Sequence, residues 1–280
     1  MARETSLPET NKDYAIGLGR AFGGAVLFAI PLLMTMEMWS LGFSMGRGRL
    51  LLFVACNFAI LIGMSYFAGF EKTFSWKEDV LDAFAAFGVG VLTSALMLFI
   101  LAAITFDMTW NEIVGKIALQ SVPASIGAML GSKQLGAEQD IEAEDERKRQ
   151  AGYSGELFLM LAGALFLAFN VAPTEEMILI AFQMSPWHTL ALGGISIVLL
   201  HVFVYAVGFS GQESRPENGT FVSTFLHFTL AGYGIALLVS LYVLWTFGRT
   251  EGVAPAEIAN MAVVLGFPAS LGAATARLVI

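Results

Sequence analysis

Two glutamates stand inside apolar runs: Glu37 in GGAVLFAIPLLMTMEMW (Gly23–Trp39) and Glu176 in GALFLAFNVAPTEEM (Gly163–Met177). An acid at the centre of a membrane helix costs about 2.5–3.5 kcal/mol, so such residues normally face a protein interior and mark ion or proton paths. Thr35 and Thr174 precede them by two residues, making a Thr-x-Glu element in each run. Pro31 and Pro173 lie close by, and a proline releases a backbone carbonyl one turn earlier. Carbonyl, hydroxyl and carboxylate oxygens are the ligands that hard cations prefer. Glu175 adds a third carboxyl. Neighbouring helix residues diverge by about 100°, so one of the pair faces a common axis, and the register selects Glu176. Carboxyls crowded in a low dielectric do not all ionise, so at least one would exchange a proton. The plainer reading is that each glutamate caps a helix or bonds a neighbouring hydroxyl at the outer interface.

Other polar residues could join such a site. Asn170 lies one turn before Thr174, on its face. His201 falls in the middle of an apolar run, where Ile62 occupies the matching place in the other half. An intramembrane histidine relays protons or simply bonds across helices. Asn57 is also buried in an apolar run. Lys116 follows Glu112 at i, i+4, a spacing for pairing at the membrane boundary. Met34, Met36 and Met38 suggest Cu(I), but alternate residues on a helix do not converge. The metal, if any, stays unknown, and no cofactor is expected. Cys56 is the single cysteine, so no internal disulfide can form.

The elements that carry these residues are apolar helices. Hydrophobic residues make up 56% of the 280, charged residues 14%, and mean hydropathy is +0.71. That composition belongs in a bilayer. The net charge of −8 and the lack of a basic stripe exclude a nucleic-acid partner. Eight segments reach the length of about 20 residues that a span needs: roughly 18–43, 50–70, 79–104, 111–131, 155–184, 188–210, 221–247 and 255–277. The expected fold is all-α, a polytopic membrane protein with eight transmembrane helices. The first apolar run exceeds a signal-peptide core and reads as a retained span. Residues 132–154 carry dense mixed charge, as a solvated linker does, or serve as a partner-binding segment.

That linker separates halves that match. At an offset of 139, Gly24, Ala25, Ala29, Thr35, Glu37 and Met38 fall on Gly163, Ala164, Ala168, Thr174, Glu176 and Met177. Tyr66, Gly69 and Phe70 continue onto Tyr205, Gly208 and Phe209. At 146, Ala85, Gly88 and Ser94 fall on Ala231, Gly234 and Ser240. At 145, Glu112 falls on Glu257, and Pro123–Ala128 (PASIGA) meets Pro268–Ala273 (PASLGA). Four segments in order predict a duplication: a first four-helix repeat (1–131), a charged cytoplasmic linker (132–154) and a second four-helix repeat (155–280). Four spans per unit bring both copies in from the same side, giving parallel repeats. Eleven Lys and Arg on the N-terminal side against four on the other place both termini in the cytoplasm. Trp39, Trp110, Trp187 and Trp245 are expected in the outer aromatic belt.

The run RAFGGAVLFAIPLLMTMEMWSLG (Arg20–Gly42) with FNVAPTEEM (Phe169–Met177) resembles an uncharacterised family of bacterial integral membrane proteins. The resemblance covers nearly the whole chain and implies a bacterial membrane location, here the inner membrane. It supplies no activity, so function rests on the residues. No Walker or dinucleotide motif, HExxH or Ser–His–Asp set occurs, so the chain does not read as an enzyme. The reading is a cation or proton-coupled transporter or channel, its site built from Glu37, Glu176, Glu175, Thr35, Thr174, Asn170 and His201. The alternative is a non-transporting scaffold or sensor that uses the 132–154 segment. Expected partners are membrane lipid and a monovalent or divalent cation or a proton; a homo-oligomer is compatible with the sequence.

Overall fold

A computed structural model describes residues 11–68, 75–134, 141–205 and 225–279. Gly69, Phe70, Gly208, Phe209 and residues 135–140, all used above, lie outside the described residues, as do Arg3, Lys72 and Arg215. Ten helices follow in order among those described. They are α1 (Asn11–Leu33), α2 (Met36–Ser44), α3 (Arg47–Ala68), α4 (Trp76–Ile100), α5 (Trp110–Gln134), α6 (Ile141–Val171), α7 (Glu175–Gln183), α8 (Pro186–Tyr205), α9 (Ala231–Thr246) and α10 (Pro255–Val279). A π-helical turn, Phe225–Leu230, leads into α9. A bilayer offers no partner to a free N–H or C=O, so apolar segments must bond internally, as helices do. Eight helices are long and apolar enough to cross a membrane; α2 and α7 are the exceptions.

Those two short helices revise the first and fifth expected segments. Neither 18–43 nor 155–184 is one helix. Each is a long helix, a break at threonine, and a nine-residue helix. Nine residues rise about 14 Å, too little to cross. Thr35 (φ −96, ψ 116) and Thr174 (φ −71, ψ 143) are the extended residues between the pieces.

The depth of the first break can be read along α5. Gly24 of α1 packs on Gly127 and Gly131, where an added Cβ would lie 2.9 Å from the Gly131 nitrogen. The Leu32 carbonyl meets Gln120. Gly42 of α2 meets Lys116, 2.6 Å from its Cα on the same construction. So α1 and then α2 pass along α5 in antiparallel order. Gln120 stands about 15 Å from the start of α5, halfway along its Trp110–Gly131 span. The break therefore lies near mid-depth.

The same packing recurs in the second half. α1 packs most closely on α5, and α6 on α10; α4 sits on α5, and α9 on α10; α2 touches α5, and α7 touches α10. The Gly24–Gly127 contact has its counterpart in Gly163–Gly272, the pair expected from offsets of 139 and 145. Between the halves, α3 packs against α6 and α9. Phe53, 1% exposed, wedges edge-on between Phe169 (5.1 Å) and Phe247 (5.7 Å). At the rim, Arg49 pairs with Glu251 and lies over the Trp245 ring.

Helices in lipid gain little from burying apolar area against each other. Close backbone approach at small residues supplies much of the association. Gly24→Leu should therefore lower the thermal midpoint of the purified protein sharply, while Gly88→Leu, with nothing within 4 Å of its Cβ, should leave it nearly unchanged. Overpacking typically costs about 1–3 kcal/mol. Melts of both variants in detergent check this.

Candidate functional site

Breaking a helix inside a bilayer releases carbonyls, and the released carbonyls organise the region. The Thr35 nitrogen bonds back to the Leu32 carbonyl (3.1 Å), which also accepts from Gln120 Nε2 (2.9 Å). The Leu33 carbonyl accepts from Trp39 Nε1 (2.7 Å), and the Pro31 carbonyl from the Thr35 hydroxyl. In the second half the carbonyl matching Leu32 is Val171. It accepts from the Thr174 nitrogen (3.1 Å) and the Thr174 hydroxyl (2.8 Å). Leu265 stands where Gln120 would be. Arg249 donates to the Pro173 carbonyl instead. Trp110 and Trp187 are strongly exposed, as a belt requires, and Trp245 is partly so. Trp39 departs from that expectation: it turns inward to cap the break.

Glu37, Glu175 and Glu176 occupy the first turns of α2 and α7. A negative charge there favours the helix dipole by about 0.3–1 kcal/mol. Glu37 is half-buried, and Glu175 and Glu176 are exposed. The Glu37 carbonyl accepts from the Ser40 hydroxyl (2.8 Å), but among the described residues none of the three carboxylates makes a hydrogen bond or ion pair. α2 packs on α5 and α7 on α10, with no extensive contact between α2 and α7. The two Thr-x-Glu elements are therefore not packed on each other. Asn170 donates to the Phe166 carbonyl (2.7 Å) of its own helix. His201 Nδ1 lies 2.9 Å from the Thr229 hydroxyl at the π-helical turn, away from both breaks. Lys116, 5% exposed, bonds Glu112 (3.0 Å) and the Ala103 carbonyl (2.9 Å), fastening the α4–α5 connection.

A cavity of about 230 Å³ lies between the halves. Phe28, Met64, Ile126, Leu130, Phe166 and Gly272 are among its walls, and none of the seven expected site residues lines it. Its character is apolar, so it offers an ion nothing.

Sequence reasoning singled out Asn57 but missed the rest of the cluster beside the first break. Asn57, Thr93, Ser94, Gln120, Ser121 and Ser125 are all fully or almost fully buried. Asn57 Nδ2 donates to Ser125 Oγ (2.9 Å). Asn57 Oδ1, Thr93 Oγ1, Ser94 Oγ and Gln120 Oε1 are buried with no partner among the described residues. Each such atom costs about 1–3 kcal/mol. The signal was available as the Gln120, Ser121, Ser125 pattern in an otherwise apolar segment. That segment is also the most enclosed of the eight candidate spans. At the near end, Ser65 donates to Asp82 (2.9 Å) and approaches the buried Asp79 (3.2 Å). From there to Lys116 the first half holds polar side chains at every depth.

The chain belongs to the family described as "Putative integral membrane protein (DUF2391)", which matches residues 17–280. No curated protein and no solved structure matches it.

If Gln120 holds the end of α1, Gln120→Ala should speed amide exchange at Met34–Met36. Interhelical hydrogen bonds in membranes average about 0.6 kcal/mol and reach about 1.7, so the expected acceleration is about three- to twentyfold. Exchange rates unchanged at these amides would show that the bond holds nothing.

Proposed function

We propose that the protein passes a proton or a small cation across a bacterial inner membrane, as a coupled transporter or a channel. The observation that carries this reading is the interrupted first span, with its Thr35–Glu37 element, beside buried polar groups that lack partners. Interrupted helices at depth expose carbonyls and helix ends, the groups from which transporters build ion sites. Polar backbone at that depth is tolerated where it is enclosed by protein or lines a path. Glu37, and Glu176 in the second half, would gather cations or exchange protons at the far-side approach to the breaks. The matching helix contacts and the two glycine pairs support descent from a duplicated four-span unit with parallel copies. The Lys and Arg count supports cytoplasmic termini.

A scaffold or sensor reading has one observation in its favour. The helix α6 begins at Ile141, within the charged segment, and runs into the fifth span through a kink at Gly152 (φ 56, ψ −148). A charged arm would thereby be joined to the membrane core.

Reconstituted proteoliposomes decide between them. Under the transport reading, wild-type protein gives cation or proton flux, and Glu37→Gln with Glu176→Gln reduces it at least tenfold, while deletion of residues 135–150 leaves it intact. Flux in the double variant equal to wild type would sink the role of the glutamates. No flux from wild type under any gradient would favour the scaffold.

A further inference from the structure

The unpartnered oxygens of the first half lie in two adjacent layers. Gly90 of α4 abuts α5 between Ser121 and Ser125, its constructed Cβ 2.8 Å from the Ser121 carbonyl and the Ser125 nitrogen. Thr93 and Ser94 share the face of Gly90 at i+3 and i+4. Because α4 and α5 run antiparallel, one turn onward along α4 comes alongside one turn back along α5. That sets Thr93 and Ser94 level with Gln120. Asn57, held by Ser125, forms the layer about one turn further in.

We propose that Asn57, Thr93, Ser94 and Gln120 form a binding site for one dehydrated monovalent cation, Na⁺ or K⁺, at mid-depth between α3, α4 and α5. Each amide nitrogen donates one bond, Asn57 to Ser125 and Gln120 to the Leu32 carbonyl, and these bonds fix which way the amide oxygens point. Their oxygens are left as acceptors with no donor. The hydroxyls of Thr93 and Ser94 add two more hard oxygens. Amides and aliphatic hydroxyls do not titrate near neutrality, so the set holds an ion rather than relays a proton. It contains no carboxylate to balance a second charge, and Mg²⁺ gives up its water reluctantly. The site deepens the transport reading, which rests in part on the same buried groups, but it uses none of the Thr-x-Glu residues, and its occupancy is measured at equilibrium, without flux, so the two fail separately.

The second half supplies the control. Ser196, Val239, Ser240 and Leu265 stand at the matching positions. Ser196 bonds the Leu192 carbonyl (2.7 Å) and Ser240 the Ala236 carbonyl (2.7 Å), each in its own helix. None of the four carries an unpartnered buried atom. Substituting these residues into the first half removes the Thr93 hydroxyl and the Gln120 amide, shortens Asn57 to a hydroxyl and leaves Ser94 unchanged, using side chains that already pack in the second half.

The test uses the full chain in lipid nanodiscs, melted in NaCl, KCl or choline chloride at constant ionic strength, with ²²Na⁺ binding measured in parallel. The wild-type midpoint should rise with the logarithm of Na⁺ or K⁺ concentration relative to choline, as ligand linkage requires. The combined Asn57→Ser, Thr93→Val, Gln120→Leu variant should lose that dependence while keeping wild-type helicity. Should the combination fail to fold, Thr93→Val and Gln120→Leu singly should each weaken apparent cation affinity at least tenfold. A wild-type midpoint identical in all three salts would overturn the proposal and assign the cluster to buried water. Apparent cation affinity unchanged from wild type in both single variants would overturn it as well, placing the ion elsewhere.

Discussion

A carbonyl released by a helix inside a bilayer has no water to accept from, so a donor must come from the protein. That constraint governs the two interrupted helices here. The first break is served by Gln120 from α5, by Trp39 from α2 and by the hydroxyl of Thr35 itself. The second is served by Thr174 and by Arg249 from the α9–α10 connection. Neither threonine caps the helix that follows it; both hydroxyls turn back to the helix they have just left. A break is therefore a commitment of several side chains, and the donors fix where α2 and α7 leave the long helices.

Close backbone contact provides the frame for those donors. Gly24 against Gly127 and Gly131, and Gly163 against Gly272, bring α1 onto α5 and α6 onto α10 without side chains between. With α1 pressed on α5, its last carbonyls reach Gln120. Gly42 and Gly115 repeat the device where α2 crosses α5. In lipid, where apolar burial gains little, such contacts carry much of the helix association. They also place the break opposite one chosen residue of the neighbouring helix.

The halves differ in chemistry although their contacts correspond. In the first half buried polar side chains run from Asp79 to Lys116, and among the described residues four of their oxygens lack partners, against Tyr242 Oη and Arg249 Nε in the second half. At matching positions the second half carries Phe225 for Asp79, Val239 for Thr93, Leu265 for Gln120 and Met261 for Lys116. If the two arose as copies, one kept or acquired a polar interior and the other became a packing partner. Contact between the halves is likewise uneven: α3 is wedged against α6 and α9 through Phe53, while α8, its counterpart, is the least enclosed of the eight candidate spans.

Much of this was legible in the sequence. Runs of apolar residues near 20 long in a chain 14% charged leave the helix as the only way to satisfy a backbone in lipid, so the eight spans and their order follow. The matched Thr-x-Glu elements also marked both breaks, because threonine and glutamate recur there at equal offset. Sequence could not say that Pro31 and Pro173 accompany complete interruptions, nor that Trp39 would turn inward. A proline bends or ends a helix according to whether neighbours can serve the freed carbonyls, and those neighbours are remote: Gln120 is 88 residues from Leu32, and Arg249 is 76 from Pro173. Nor could it distinguish the glutamates, which are conspicuous by charge, from Asn57, Thr93, Ser94 and Gln120, which are inconspicuous by type. Whether a buried amide is satisfied depends on which helix faces it and at what level. Only tertiary packing decides that.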